Sequence, residues 1–383
     1  MKKLLALLLA LTMVFALAAC GGSAAPAATE APAEAPAEAP AEEAGALNIG
    51  VFYYNYADTY ISSVRTALDA ELDALGLTYT DYDGNNNQTT QNETIQTAIQ
   101  NGCNLLIVNM VTSGSTDVAN EIINMAGDVP VIFFNRAVEN DGEEGTVLSA
   151  HDNICFIGTD APEAGHLQGK MVGEYVLENY DTVDLNGDGV ISYAMFKGDE
   201  ANVEAIYRTQ YGVEDADALL TAAGKPALSY FNASNTSKYQ CDQTGNWSAQ
   251  AAVDYMNTNL AEYNESNGNM IELIICNNDN MAEGCVSALK AAGYNDGTGK
   301  VIPVFGVDAT DSAKELIAAG QMTGTVKQDA EGMASAIAET AASIGGGTAI
   351  ADAIAAAAKT GDIYSVAEGV SNKLYVAYAP YTG

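Results

Sequence analysis

Residues 184–192 carry oxygen ligands at alternate positions. Their spacing is the most specific motif in this sequence. It matches the first nine positions of an EF-hand calcium loop, in which Gly189 would make the sharp turn. Met195 stands at the twelfth position, where such a loop has a glutamate. The segment predicts a structural calcium site, and an Asp/Asn/Gly turn without metal is the alternative. The ligand oxygens would come from Asp184, Asn186, Asp188, Val190 and Ser192.

Hydrogen-bonding side chains recur where apolar segments of the chain end. A single Asn or Asp at a strand end is usually a helix cap or a turn residue. Recurrence at most strand ends is harder to explain by capping alone, and it favours a polar ligand site. The residues concerned are Asp58, Tyr60, Asn109, Asn277, Asn278, Asp279, Asp308, Gln328 and Asp329.

Trp247 is the only tryptophan in the chain and lies in the polar segment 245–248. Ligand pockets combine aromatic side chains with a few polar groups, so this residue is a candidate stacking platform. The alternative is a core residue at the start of a helix.

Near-continuous apolar strands alternate with amphipathic helices from residue 46 onward. In the first predicted helix, from about Thr59 to Leu75, Ile61, Val64, Leu68 and Leu72 recur at helical spacing. Such strands are typical of parallel sheets covered on both faces. Strands are predicted at 47–53, 105–109, 129–135, 154–158, 192–196, 228–231, 273–276, 301–306 and 323–326. Further helices are predicted at about 161–179, 201–223, 247–263 and 280–292.

The alternating pattern restarts near residue 192, which predicts two α/β units, each a doubly wound parallel sheet. A length of 383 residues also favours two domains. Ligands of doubly wound sheets bind beyond the carboxyl ends of the strands. Two such units facing each other would form a ligand cleft between them.

The N-terminus reads as a secretion signal followed by a tether. Lys2 and Lys3 precede an apolar run, and residues 17–20, Leu-Ala-Ala-Cys, resemble a bacterial lipobox. Residues 1–19 are therefore predicted to be a signal peptide and Cys20 the lipidated N-terminus, with a plain cleavage site as the alternative. Residues 20–45, rich in Ala, Pro and Glu, would be an extended tether to the outer face of the cell membrane.

The formal net charge of −35 excludes nucleic acid and anionic lipid surfaces as partners, because both would be repelled. Membrane contact is therefore expected only through the lipid anchor. The five cysteines after Cys20 match no metal framework. Buried free thiols are expected, and a disulfide between Cys241 and Cys285 remains an open alternative.

Several segments together resemble the periplasmic galactose/glucose-binding proteins, which are type I substrate-binding proteins of sugar ABC transporters. The resemblance runs from about Leu47 to Tyr381. It rests on segments 49–51, 56–58, 131–135, 158–160, 277–279 with 281–282, 303–308 and 324–326. It implies two lobes, formed by 46–157 with 328–373 and by 158–327 with 374–383. Three hinge crossings are implied near 158–160, 328–330 and 374–378.

The resemblance also implies roles for individual residues. Tyr60 and Trp247 would stack on opposite faces of a pyranose ring. Asp58 and Asn109 would hydrogen-bond one end of the sugar. The remaining hydroxyls would be surrounded by Asn202, Glu204, Arg208, Asn278, Asp308 and Gln328.

Four of these positions depart from the family pattern. The family has phenylalanine at Tyr60, histidine at Asn202, aspartate at Glu204 and asparagine at Gln328. Glu204 and Gln328 are each one methylene longer, which would crowd a site fitted to a hexose. The departures leave open a pentose, a C4 epimer or another hexose.

The resemblance supplies the carboxylate that the calcium loop lacks. In the family the bidentate ligand comes from a distant strand, and Glu272 matches it. Ser192 replaces a longer glutamine there and would ligate through water.

The resemblance therefore implies a monomeric binding protein that delivers a monosaccharide to an ABC transporter permease and is not an enzyme. Asp58 and Asp308 could also pose as a glycosidase pair, but the sequence has no recognisable catalytic motif. A sugar sensor for a chemoreceptor or sensor kinase is the other alternative, and the sequence alone does not separate it from transport.

Overall fold

The computed structural model describes residues 46–140, 142–297 and 299–383. The predicted signal peptide, Cys20 and the tether lie outside the described residues. Among the residues described, no helix is long and apolar enough to cross a membrane.

The strands follow the alternating order that the sequence predicts. They are β1 Asn48–Tyr53, β2 Thr78–Asp83, β3 Leu105–Val108, β4 Val131–Phe134, β5 Ile154–Gly158, β6 Ser192–Lys197, β7 Ser229–Tyr230, β8 Gln240–Cys241, β9 Leu273–Cys276, β10 Val304–Asp308, β11 Gly324–Lys327, β12 Tyr364–Val366, β13 Lys373–Val376 and β14 Ala379–Tyr381.

Helices connect most of these strands, and two short 3₁₀ turns lie at Leu148–Ala150 and Glu265–Asn267. The helices are α1 Thr59–Ala74, α2 Gln88–Gln100, α3 Thr116–Ala126, α4 Ala161–Glu178, α5 Tyr180–Val183, α6 Val203–Ala222, α7 Ala249–Glu262, α8 Asp279–Ala291, α9 Asp311–Ala318, α10 Ala330–Gly345 and α11 Ile350–Ala357.

Two sheets organise the chain into two lobes. The first has the order β12-β13-β5-β4-β3-β1-β2, and the second has the order β14-β11-β10-β9-β6-β7, with β8 also paired to β6. Apart from the antiparallel pairs β12–β13 and β11–β14, the strands run parallel. The predicted fold class, two doubly wound parallel-sheet domains, is confirmed.

Both faces of each sheet are packed, which explains why the strands read as continuous apolar runs. In β1, Ile49, Val51 and Tyr53 enter one core of the first lobe, whereas Phe52 enters the core on the other face. The predicted helix stripe of α1 is buried in the former core. The second sheet likewise separates two apolar cores.

The chain crosses between the lobes three times. The first crossing links β5 to α4, and the second links β11 to α10. The third links β13, which pairs with β5 in the first sheet, to β14, which pairs with β11 in the second. Residues 374–376 therefore belong to the first lobe, which corrects the predicted boundary at residue 374; Gly158, the last residue of β5, also lies in the first sheet.

The cysteines at 103, 155, 241, 276 and 285 are all buried free thiols. This corrects the alternative of a disulfide between Cys241 and Cys285. The nearest thiol neighbour of Cys285 is instead Cys276, with 3.8 Å between the two Sγ atoms.

Candidate functional site

A cavity with about 370 Å³ of empty space, part of it open to solvent, lies between the two lobes. Nine of the ten residues predicted to bind a ligand line it: Asp58, Tyr60, Asn202, Glu204, Arg208, Trp247, Asn278, Asp308 and Gln328. The sequence analysis did not assign four other lining residues to the site: Tyr54, Ile61, Asn135 and Arg136. Neither histidine of the chain is among the lining residues.

Three lining residues are also helix N-caps, so a polar residue at a strand end can cap a helix and line the cavity at the same time. Asp58 accepts from the backbone N–H of Ile61 at the start of α1, at 2.8 Å. Asn202 caps α6, and Asn278 caps α8 in the same way. Each cap fixes its side chain at the carboxyl end of a strand, which is where a doubly wound sheet binds ligands.

Asp58 is held a second time by the hydroxyl of Tyr54, which donates to its Oδ2 at 2.6 Å. The guanidinium of Arg136 lies 3.5 Å from the centre of the Tyr54 ring and also donates to the carbonyl of Val111. Arg136 is almost fully buried. It lies two residues after β4, so the strand-end rule that selected the other site residues could have found it.

Helix α6 supplies two lining residues, its N-cap Asn202 supplies a third, and the helix is held close to α4. A β-carbon added to Gly169 of α4 would lie 2.3 Å from the carbonyl oxygen of Tyr211 in α6, so only glycine permits this approach. The close packing fixes the α6 face that carries Glu204 and Arg208. Glu204 is buried, and the hydroxyl of Ser113 donates to its Oε2 at 3.5 Å.

Arg208 ties the second lobe to the second and third hinge segments. Its Nη1 donates to the carbonyl of Asn277 at 2.9 Å, and its Nη2 donates to Gln328 Oε1 at 3.2 Å and to the Tyr378 hydroxyl at 2.9 Å. Burial opposes its charge, but the nearby Tyr378, Asp308 and Glu204 raise the pKa of Arg208 on balance. The guanidinium is thus a fixed cation in the wall of the cavity.

The indole of Trp247 is positioned by a strained loop. Trp247 has a φ of 56°, a left-handed conformation that is costly for a bulky residue. A β-carbon added to Gly198 would lie 2.1 Å from Cδ2 and Cε3 of the indole, so the ring packs directly on that glycine. The Trp247 carbonyl accepts from Asn278 Nδ2 and Asn280 Nδ2.

Asp308 also stands in an unusual backbone conformation, with a φ of 127°, and Ala309 follows at 57°. Burial raises the pKa of Asp308 well above its ordinary value. The positive charge of Arg208 opposes this increase, and the negative charges of Asp279 and Asp58 add to it. Backbone strain at Asn135, Trp247 and Asp308 therefore clusters around this cavity, as is common at ligand sites.

Tyr60 lines the cavity from the first lobe and is almost fully buried, with its hydroxyl 3.8 Å from the sulfur of Met333. Burial raises the pKa of Tyr60 well above its ordinary value. The hydroxyl that distinguishes it from phenylalanine therefore contacts the protein core.

Asn109 does not line the cavity. Its Nδ2 donates to the carbonyl of Phe134 and to Asn135 Oδ1, and its Oδ1 accepts from the N–H of Tyr54. This placement corrects the prediction that Asn109 contacts a ligand, because its amide is used within the protein. Asn135, which it supports, lines the cavity instead.

Three buried donors in the cavity wall have no hydrogen-bond partner: Arg208 Nε, Trp247 Nε1 and Gln328 Nε2. Buried polar groups are nearly always paired, so three unpaired donors around one cavity indicate a missing acceptor-rich ligand or water. The carboxylates of Asp58, Glu204 and Asp308 line the same cavity and can accept hydrogen bonds.

The predicted calcium loop is closed by Glu272, which is fully buried. Its Oε1 accepts from the N–H of Asn186 at 3.0 Å, and its Oε2 accepts from the N–H of Ser192 at 2.9 Å. Asp184 Oδ1 and Ser192 Oγ are buried without a partner. In the part of the chain described, no group of three or more His, Cys, Asp or Glu side chains could hold a metal ion, so any cation here needs amide and carbonyl oxygens as well.

Comparisons with known proteins agree with this architecture. Residues 49–349 match a family model described as a periplasmic binding protein domain. The chain is 32% identical over 292 residues to the D-galactose/methyl-galactoside binding periplasmic protein of Haemophilus influenzae, covering 76% of this chain and 78% of that protein.

Solved structures share the fold at lower identity. An ABC transporter solute binding protein from Bacillus halodurans with bound myo-inositol has a TM-score of 0.65 and 22% identity, covering 89% of this chain and 96% of that one. A carbohydrate transporter solute binding protein from Agrobacterium radiobacter in complex with D-arabinose has a TM-score of 0.64 and 14% identity, covering 88% and 95%.

Proposed function

Because this chain belongs to the family of periplasmic binding proteins, we propose that it binds a monosaccharide between its lobes and delivers it to an ABC transporter permease. It is a binding protein and not an enzyme, like its relatives. Three buried donors around one interlobe cavity have no hydrogen-bond partner, and this observation is the main support for a sugar ligand.

The cavity chemistry suits a polyhydroxylated ring. Each sugar hydroxyl is both a donor and an acceptor, so it can accept from Arg208 Nε, Trp247 Nε1 or Gln328 Nε2 while donating to a carboxylate. The carboxylates of Asp58, Glu204 and Asp308 supply those acceptors. Tyr60 and Trp247 enter from opposite lobes and offer aromatic surface to the apolar C–H faces of the ring.

Among monosaccharides, we propose D-galactose or D-glucose as the ligand. The 32% identity to a D-galactose/methyl-galactoside binding protein supports this choice. Asn202, Glu204 and Gln328 differ from the galactose/glucose-binding pattern, and all three line the cavity. Arg136 adds a second buried guanidinium. A pentose or another hexose is the alternative. The structural neighbours bound to D-arabinose and to the cyclitol myo-inositol make a pentose and a cyclitol worth testing as well.

A thermal-shift screen against monosaccharides and cyclitols tests the ligand class. At a ligand concentration about 100 times Kd, a single-site ligand should stabilise the protein by about 2.7 kcal/mol, which is readily seen as a raised Tm. D-Galactose or D-glucose should give the largest shift. No shift with any member of the panel would contradict the proposal.

We also propose that the loop 184–192 binds a structural calcium ion with Glu272. The donor set is all oxygen, as calcium prefers, and the two buried unpartnered oxygens of Asp184 and Ser192 lack a cation or other donor. Asp184, Asn186, Asp188, the Val190 carbonyl, Ser192 and Glu272 would hold the ion. The positive charge of calcium would hold the loop against Glu272, the residue immediately before β9.

Finally, we propose that Cys20 is lipidated and anchors the protein to the outer face of the cell membrane, where it acts as a monomer. The lipobox-like residues 17–20 support the anchor. Labelling with a radioactive fatty acid in the producing cell should mark the wild type and leave Cys20→Ser unlabelled. Equal labelling of both would contradict the anchor, and sedimentation of the soluble form tests the monomer.

A further inference from the structure

Besides the bond from Ser113 to Glu204, three hydrogen bonds join the lobes beside the cavity, and none of them needs a ligand. Asn55 Nδ2 in the first lobe donates to Asn246 Oδ1 in the second at 3.1 Å. Asn86 Nδ2 in the first lobe donates to the same oxygen at 3.1 Å and to the carbonyl of Thr244 at 3.0 Å. We call Asn55, Asn86, Thr244 and Asn246 the asparagine latch.

The second-lobe half of the latch is held by hydrogen bonds within its own lobe. Asp242 is almost fully buried, and its carboxylate accepts from Thr244 N, Thr244 Oγ1 and Ser248 N at 2.6–2.9 Å. Thr244 Oγ1 in turn accepts from Asn246 Nδ2 at 2.9 Å, which leaves Asn246 Oδ1 facing the first lobe. The loop 242–248 therefore presents two acceptors in fixed positions.

The first-lobe half is also fixed within its own lobe. Asn55 Oδ1 accepts from the N–H of Ala57 at 3.0 Å, so its Nδ2 remains free to donate across the cleft. The backbone N–H of Asn86 donates to the carbonyl of Tyr54 at 2.8 Å, and Asn86 has a φ of 52°. Donors that are already ordered lose little conformational entropy when the latch forms.

The latch is adjacent in sequence to the cavity on both sides. Asn246 precedes the indole of Trp247, and Asn55 follows Tyr54, whose hydroxyl holds Asp58. If a ligand leaves the cavity by separation of the lobes, that separation breaks all three latch bonds. Rejoining of the lobes after a ligand enters would re-form them.

We propose that Asn246 is a positioning residue whose bonds to Asn55 and Asn86 set the residence time of the bound ligand without selecting among ligands. This inference rests on the proposed function. Because the latch contacts only protein, it adds the same free energy to the closed state for every ligand. It should therefore slow dissociation equally for all of them and have little effect on association.

The test measures association and dissociation rates by stopped-flow tryptophan fluorescence, using D-galactose and D-glucose as probes. Asn246→Ala should raise the dissociation rate roughly 5- to 20-fold, since it removes two interlobe bonds to its amide. The association rate should change less than about threefold, and the affinity ratio of the two sugars should stay within about twofold of wild type. Asn257→Ala, an exposed asparagine of α7 in the same lobe, is the matched control and should behave as wild type.

A second variant tests the connection between the lobes. Asn55→Ala should raise the dissociation rate by roughly two- to fivefold, because it loses a single interlobe bond. The double variant Asn55→Ala/Asn246→Ala should dissociate no more than about twice as fast as Asn246→Ala alone, because both changes remove the same bond. A folding defect would lower the active fraction without changing the dissociation rate of the active molecules.

Different results would overturn the proposed function and the proposed role of the latch. If the wild type binds none of the sugars of the thermal-shift panel, the proposed function fails and the latch fails with it. If the wild type binds but Asn246→Ala dissociates within about twofold of wild type, or changes the sugar affinity ratio more than about fivefold, the latch alone is overturned.

Discussion

The indole of Trp247 rests on the bare backbone of Gly198, at a distance that leaves no room for a β-carbon. One face of the ring is thereby covered by protein, while Trp247 also lines the interlobe cavity. The contact links the end of β6 to the loop before α7. It makes the position of the aromatic platform depend on a glycine that does not itself line the cavity.

This relationship predicts the effect of two substitutions on ligand affinity. Trp247→Ala should weaken monosaccharide binding at least tenfold, or roughly 1.4 kcal/mol, because the stacking surface is lost. Gly198→Ala should weaken binding as well, because a methyl group displaces the ring. Calorimetric titration measures both, and Gly346→Ala after α10, where an added β-carbon finds its nearest atoms at 3.4 Å or more, is the control. Unchanged affinity in Trp247→Ala would remove that residue from the site.

Arg208 connects the cavity to the hinge, so its replacement should reduce affinity although charge is conserved. Arg208→Lys should weaken binding by at least about tenfold, because an ammonium group lacks the planar fork that reaches Asn277, Gln328 and Tyr378 together. Tyr378→Phe removes one of these partners and should weaken binding only about two- to fivefold. Equal affinities for wild type and Arg208→Lys would contradict the role given to the guanidinium.

Calcium removal should lower stability and leave ligand binding in place. The loop 184–192 lies in the second lobe, and none of its residues lines the interlobe cavity. A chelator should therefore lower Tm by several degrees while sugar affinity stays within about threefold. Asp188→Ala should have the Tm of the chelated wild type and should not respond to chelator. A wild type whose Tm is insensitive to chelator would show that the loop holds no calcium.

Two carboxyls in the first lobe predict a pH-dependent stability. Asp81 of β2 and Asp69 of α1 lie side by side, and each has a buried Oδ1 that accepts no hydrogen bond from any other residue. Burial raises the pKa of Asp81 to about 7. The negative charge of Asp69 and a proton shared with it add to this increase, and the positive charge of Arg65 opposes it. Burial also raises the pKa of Asp69, and the buried hydroxyl of Tyr53 faces both.

The sign of this effect follows from proton linkage. Because the folded protein holds a proton on Asp81 that the unfolded chain loses near its ordinary pKa of about 3.9, the free energy of unfolding falls as pH rises from about 4 to about 7. Asp81→Asn should flatten this decline, since its amide can donate to Asp69 at every pH. Thermal melts at pH 5 and pH 8 measure the difference. The exposed Asp128→Asn should keep the wild-type slope, and an Asp81→Asn slope equal to wild type would contradict the shared proton.

The fold could be predicted because most strands are buried on both faces, and their apolar runs are therefore visible in the sequence. Strand β2 escaped prediction since it is an edge strand of mixed exposure with the sequence TYTDYD. Strand β10 begins at Val304 and not at Val301, directly after Pro303, which has no N–H to donate to a ladder. The lobe boundary was predicted at residue 374, which is too early because β13 continues to Val376; the crossing itself, at 377–378, lies within the predicted range 374–378.

The candidate site could be predicted in large part because polar residues at strand ends converge in a doubly wound fold. Asn109 shows the limit of that rule, because its amide is used by Tyr54, Phe134 and Asn135 within the lobe. Whether a strand-end side chain faces the cleft or the neighbouring strand depends on tertiary packing. The latch also escaped prediction, since Asn55, Asn86 and Asn246 read locally as turn residues.

Isothermal titration of the purified soluble chain with D-galactose and D-glucose tests the central claim most directly. The account predicts saturable binding of one sugar per chain, with a Kd of about 1 μM or tighter for the preferred sugar, or at least about 8 kcal/mol of binding free energy. Heat that never saturates with any monosaccharide, at sugar concentrations up to about 1 mM, would contradict a monosaccharide site between the lobes.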